Sequence, residues 1–300
     1  MLRYGRSYFH KHSDKLFLVA CIVLLMVGVA GLTWGVLAIR NLTQAMVPRV
    51  SLTNNLAIST MIDELPAPKT EQPVPPRRSQ SPTTPTKPVT PVTGRVVYLT
   101  FDDGPSAITG DVLDALDRYG VKATFFVTGN GQNYNGYIKT AQARGHAIGL
   151  HTYTHNYGLV YQSDQAYFDD LGRISAMVND LTGQQSKLVR FPGGSSNTIS
   201  RHYSNGIMSR LATEVRRQGY QYFDWNCSSG DADGNNVPVD KLVANASCPY
   251  EQVVLLMHDA KGKQTTAEAL PQIIEYYRAR GYAFESLNTA SYAAHHRINN

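Results

Sequence analysis

From Arg95 onward, short apolar runs rich in β-branched and aromatic residues alternate with longer stretches whose apolar positions recur every three or four residues. The runs "RVVYLTF", "KATFFVTG", "HAIGLHT", "KLVRFPG", "YQYFDWN", "QVVLLMH" and "YAFESL" predict strands. The stretches around 109–119, 135–144, 163–182, 206–218, 239–246 and 265–280 predict helices. Several of these run into a glycine (Gly120, Gly145, Gly183, Gly219, Gly281), the residue that most readily takes the left-handed conformation ending a helix. Regular alternation of the two patterns predicts an α/β domain over residues 95–300. Its expected form is a distorted (β/α) barrel of about seven strands, with an open doubly wound sheet as the alternative.

Upstream the pattern is different. Residues 16–39, "LFLVACIVLLMVGVAGLTWGVLAI", carry no charge and are long enough to cross the hydrocarbon layer as one helix. Arg3, Arg6, Lys11 and Lys15 precede the run, which predicts a cytoplasmic tail over 1–15, a transmembrane helix over 16–39 and everything beyond on the outer side. A cleaved signal peptide is the competing reading, disfavoured by the length of the run and the lack of a clean A-x-A site. Residues 40–94 predict an extracellular linker. Its part from 65 to 93 is dense in Pro, Thr and Ser with almost no aliphatic periodicity, as in an extended spacer.

Charge follows the same division. Residues 1–94 hold ten Lys and Arg against four Asp and Glu, whereas residues 95–300 hold 18 against 19. The net +5 of the chain therefore belongs to the tail and linker, and the globular part offers no basic face for nucleic acid. Of three cysteines, Cys21 falls in the apolar run, leaving Cys227 and Cys248 either as a disulfide or as two free thiols.

The chemistry-bearing residues gather at one end of the predicted strands. Asp102 and Asp103 follow "VVYLTF", His151 and His155 follow "AIGL", and Arg190 closes "KLV". Asp224 and Asp231 lie at or beyond "YQYF", and His258 with Asp259 follows "VVLLM". Catalytic groups of barrel enzymes sit at these C-terminal ends. Two histidines in "HTYTH" can converge on one cation, and a carboxylate would complete a three-ligand site with an open position. A divalent ion would also offset the repulsion between the adjacent Asp102 and Asp103, leaving one carboxylate as ligand and the other as general base. His258 suits a general acid, with Asp231 or Asp224 behind it, and Arg190 suits a clamp on an aspartate. The bland alternatives are an Asp-rich turn, core histidines and a plain salt bridge.

The set "TFDDGP", "HTYTH", "RFPG", "SSGDAD" and "LLMHD", in this order over about residues 95–290, resembles the polysaccharide deacetylases of carbohydrate esterase family four. The resemblance implies Asp102 as base and Asp103, His151 and His155 as ligands of one divalent metal, with Zn2+ favoured and Co2+, Ni2+ or Mn2+ compatible. It implies Arg190 as the tether of Asp102, His258 as acid and Asp231 as the carboxylate orienting it. Two positions depart from the family pattern. The tyrosine of the third motif is Gly193, whose backbone N–H still serves an oxyanion, and the tryptophan after Asp231 is Ala232, with Trp225 as a candidate replacement in the groove wall.

The resemblance and the expected outward-facing location together imply removal of N-acetyl groups from cell-wall glycan, with peptidoglycan N-acetylglucosamine first. N-acetylmuramic acid, chitin-like oligomers and O-acetylated polysaccharide are the alternatives of the same class. A catalytically weak glycan-binding scaffold and a metal-dependent amidase on peptide stems are the alternatives of other classes. Expected partners are the glycan and, through residues 16–39, the membrane. The oligomeric state is left open.

Overall fold

The computed structural model describes residues 94–300. The expected transmembrane helix and nearly all of the linker lie outside the described residues, and among the described residues no helix is long and apolar enough to cross a membrane.

The predicted alternation produces eight strands. They are β1 (Val96–Asp102), β2 (Ala123–Val127), β3 (Ala147–Leu150), β4 (Leu188–Val189), β5 (Gln221–Tyr222), β6 (Cys227–Ser228), β7 (Gln252–His258) and β8 (Ala283–Phe284). All paired strands are parallel, in the order β5-β4-β3-β2-β1-β7-β6, with β8 beside the start of β1. Parallel neighbours need long crossovers. Helices supply most of them: α1 (Thr109–Tyr119), α2 (Gly136–Ala143), the single turn α3 (Tyr157–Val160), α4 (Asp164–Thr182), α5 (Ile207–Arg217), α6 (Val239–Ala246) and α7 (Gln264–Arg278).

One expected strand divides. "YQYFDWN" yields β5 beside β4 and the residues leading into β6 beside β7, so no ladder joins the two ends of the sheet. Phe223–Asn226 are too few for a crossover; the run changes neighbours instead, and the barrel is distorted at this seam. Asn226 secures the change, donating its N–H to Val254 O and accepting the Val254 N–H on its side chain. "YAFESL" likewise shrinks to the two-residue β8.

Side chains alternate across the sheet with period two. Val97, Leu99 and Phe101 of β1 and Val253, Leu255 and Met257 of β7 face the helices in the main core. The opposite face is lined by a smaller cluster that includes Tyr98, Phe126, Leu188, Phe223 and Val254, capped by Leu287 and Ala294 of the C-terminal segment. Continuing the inner series upward gives Tyr98, Thr100 and Asp102 on β1, and Val254, Leu256 and His258 on β7. Register therefore places Asp102 directly opposite His258 at the C-terminal rim. Cys227 and Cys248 form a disulfide that ties β6 to the segment after α6.

Candidate active site

Asp102 is the last residue of β1, and its carboxylate is almost fully buried. Arg190, just past β4 and wholly buried, donates Nη1–H to Asp102 Oδ1 at 2.8 Å and to Thr100 Oγ1 at 2.8 Å. Its Nε–H goes to Phe223 O and its Nη2–H to Asp224 O, each at 3.0 Å, and its guanidinium lies 4.3 Å from the centre of the Phe126 ring. A buried charge is tolerated when paired and hydrogen-bonded in this way. Burial pushes the Asp102 carboxyl up from its ordinary value, and Arg190 works against that push. The resulting carboxylate has one oxygen clamped and the other, Oδ2, 3.7 Å from His151 Nε2.

Asp103 turns away from its neighbour because its backbone is left-handed, at φ 68°. Thr152 and His155 are left-handed too, at 64° and 49°. Such conformations cost about 1–3 kcal/mol each outside glycine and persist only when the surroundings impose them. Part of that imposition comes from Asp170 of α4, whose Oδ1 accepts the N–H groups of Tyr153 and Thr154 and fixes the bend between the two histidines.

The result is convergence. Asp103 Oδ1 lies 3.5 Å from His151 Nε2 and 3.3 Å from His155 Nε2, and one ligand atom from each residue falls within 4.8 Å of the others. His151 Nδ1 meets the Arg190 carbonyl at 2.8 Å, a contact that puts the proton on Nδ1 and leaves the Nε2 lone pair toward Asp103. Burial, then the charge of His155, lowers the His151 pKa to about 3, so the ring is neutral. Asp103 Oδ1 is buried with no hydrogen-bond partner among the described residues. A lone carboxylate oxygen facing two imidazole nitrogens fits a divalent cation, which satisfies all three at once.

On the opposite side, Asp231 Oδ1 lies 2.8 Å from His258 Nδ1, and Oδ2 accepts the His258 N–H at 2.7 Å and the Thr266 hydroxyl at 2.9 Å. Burial opposes a charge on His258, but the hydrogen bond and charge of Asp231, then the charges of Asp102 and Asp103, outweigh it and raise the pKa to about 9. The imidazolium thus persists at neutral pH, with Nε2 as its remaining donor. Asp224, the other aspartate considered for this place, points elsewhere: it accepts Ser195 N–H, Ser195 Oγ–H and His296 N–H. Asp259 packs its carboxyl against Gly104 and accepts the Thr109 hydroxyl.

Gly193, at φ 74°, leaves its N–H without a partner among the described residues. Trp225 packs beside the next glycine, where a Cβ on Gly194 would come within 2.9 Å of the indole, and its ring stands edge-on to His296. It borders the Gly193 loop rather than the Asp231–Ala232 side. From Asp103 a cleft of about 600 Å³ runs past Asn130, Gln132, Tyr134 and Tyr153 to Lys261.

Sequence reasoning did not single out Thr100, Tyr157 or Asp170, or the service of Asp224 to Ser195. Each meets its partner at a separation along the chain that no local motif encodes. Tyr157 alone left a signal, standing two residues after His155.

Known proteins resemble this part of the chain in sequence and in fold. The family described as polysaccharide deacetylase matches residues 90–208. A peptidoglycan-N-acetylglucosamine deacetylase of Bacillus cereus is 32% identical over 207 residues, covering 66% of this chain and 71% of that one. A peptidoglycan-N-acetylmuramic acid deacetylase of Bacillus subtilis is 29% identical, covering 68% and 74%. The crystal structure of the catalytic domain of a peptidoglycan N-acetylglucosamine deacetylase from Eubacterium rectale superimposes with a TM-score of 0.66 at 42% identity, over 70% of this chain and 97% of that one. By these similarities the chain belongs to the polysaccharide deacetylase family, carbohydrate esterase family 4.

Proposed function

We propose that this chain removes the acetyl group from N-acetylglucosamine of peptidoglycan by metal-assisted hydrolysis. The observation that carries the reading is the meeting of Asp103 with His151 and His155 beside a second carboxylate, Asp102, that a buried arginine holds. Metal dependence is general to the family. Asp103, His151 and His155 would hold one divalent ion; the two imidazoles favour Zn2+, and Co2+, Ni2+ or Mn2+ suit the same donors. When bound, such an ion polarises the acetamide carbonyl and acidifies water at the site.

The remaining work belongs to the chain. Asp102, clamped at Oδ1 by Arg190, takes the proton of the attacking water on Oδ2, and its burial-raised pKa makes it a better base than an exposed aspartate. As the water oxygen bonds to the carbonyl carbon, charge builds on the carbonyl oxygen, and the free Gly193 N–H receives it. His258, protonated and steadied by Asp231, gives its Nε2 proton to the nitrogen as the C–N bond breaks. Acetate and a free amino sugar leave.

The cleft beside Asp103 suits a glycan, because amide side chains at Asn130 and Gln132 can bond hydroxyls and the rings of Tyr134 and Tyr153 can cover sugar faces. Outward placement supports the wall as target. The uncharged run at 16–39 and the spacer to residue 94 would hold the domain beyond the membrane, and a disulfide suits an oxidising compartment. Mass spectrometry of purified wall fragments after treatment with the protein tests the reading. Loss of acetyl from glucosamine supports it, loss from muramic acid moves the substrate to the neighbouring sugar, and new peptide termini without acetyl loss overturn it.

A further inference from the structure

Gly193 replaces the tyrosine of the family pattern, and the space above it is filled from another part of the chain. A Cβ placed on Gly193 would lie 2.5 Å from Tyr157 Oη and 3.3 Å from Tyr157 Cζ. The phenol thus stands over the glycine that carries the unpaired N–H. Its ring is perpendicular to that of His155, with centroids 5.8 Å apart, so the same side chain touches the cation site on one flank and the Gly193 loop on the other. Among the described residues the Tyr157 hydroxyl has no hydrogen-bond partner, and neither has the Gly193 N–H.

The arrangement is held from behind. Tyr161, one turn further along, packs edge-on against Tyr157 at 5.6 Å and donates its own hydroxyl to Pro192 O at 2.7 Å. One aromatic pair therefore fixes both Tyr157 and the backbone just before Gly193. A phenol hydroxyl packed over the glycine that carries a free N–H puts two donors on one wall of the site, the kind of arrangement that stabilises charge developing on a carbonyl oxygen. The left-handed backbone at Gly193 and the phenol above it also explain each other, since a side chain at 193 would displace the hydroxyl.

We infer that Tyr157 is a further catalytic residue, its hydroxyl donating alongside the Gly193 N–H to the acetyl oxygen during hydrolysis. The inference rests on the deacetylase reading above. It places a side-chain donor, two residues beyond the histidine motif, next to the backbone donor that the third motif keeps at Gly193.

The test is Tyr157→Phe in the full chain, which keeps the ring and its packing and removes only the hydroxyl. Turnover of N-acetylglucosamine oligomers is expected to fall by about 10²-fold in kcat with little change in KM, the size of loss seen when one donor of such a pair is removed. Zinc content and melting temperature are expected to match the unsubstituted protein. A second readout is independent of turnover: acetate, the product, should bind less tightly to the Tyr157→Phe protein in calorimetric titrations. Unchanged kcat or unchanged acetate affinity overturns the inference. Failure of the unsubstituted protein to release acetate counts against the proposed function instead, and the acetate titration then decides the role of Tyr157.

Discussion

Asp231 grips His258 twice, with one oxygen 2.8 Å from the ring Nδ1 and the other 2.7 Å from the backbone N–H of the same residue. The backbone contact fixes where the histidine starts, and the ring contact fixes which way it points and which nitrogen remains for the substrate. The charge of the carboxylate also explains why a mostly buried imidazole keeps its proton.

Replacing Asp231 by Asn removes that charge and retains the shape. The His258 pKa, about 9 in the native protein, should fall toward or below the ordinary 6.5, and NMR titration of the metal-free protein reads it directly. The alkaline limb of the activity profile should move to lower pH, with kcat down by about 10²-fold at neutral pH. Stability follows the same shift. Folding raises this pKa, so the pair's contribution is complete below about pH 6.5 and is lost as pH rises through about 9.

Asp102→Asn and His151→Ala should separate proton transfer from metal binding. The first leaves Asp103, His151 and His155 in place, so it should abolish turnover and retain bound zinc. The second removes a ligand and should lose both. Metal analysis of the two purified variants checks the division of labour, and an empty site in Asp102→Asn would mean that the two aspartates have exchanged roles.

Arg190→Ala should cost stability as well as activity. The change strands the Asp102 carboxylate and leaves the Phe223 and Asp224 carbonyls without their donor in a region closed to water. Losing one partner of such a buried pair costs about 3–5 kcal/mol, measurable by urea unfolding. A loss below about 1 kcal/mol, the scale of a surface pair, would show that the clamp is not closed to solvent.

The Cys227–Cys248 bond joins positions 21 apart in sequence and braces the seam where the sheet changes neighbours. Replacing both cysteines by serine should lower the unfolding free energy by about 2–4 kcal/mol. Calorimetry with and without reductant provides the same comparison, since reduction should shift only the disulfide-containing protein.

Much of this site was legible because strand ends are legible. An apolar run stops where its residues leave the sheet, and the polar residue that follows each run in a parallel array faces the same rim. "VVYLTF" followed by Asp102 and Asp103, and "VVLLM" followed by His258, announced themselves in that way, and the family motifs supplied the order. The seam at Phe223–Asn226 was not legible, because "YQYFDWN" has one continuous strand pattern whether it keeps its neighbour or changes it. Arg190 could be marked as a clamp on an aspartate, but its bond to Thr100 and its bonds to two carbonyls depend on distances across the barrel. Asp224 read as a second candidate behind His258 for the same reason: sequence places it near the rim and says nothing of which side chain it meets. The pairing of Tyr157 with Gly193 needs both motifs in space at once.

The most direct test of the central claim follows acetate release and bound metal together. Protein stripped by chelator and titrated with Zn2+ should regain acetate release from N-acetylglucosamine oligomers in proportion to bound ion, levelling at one ion per chain, and His155→Ala should regain none. Full acetate release by stripped protein carrying no ion would contradict it.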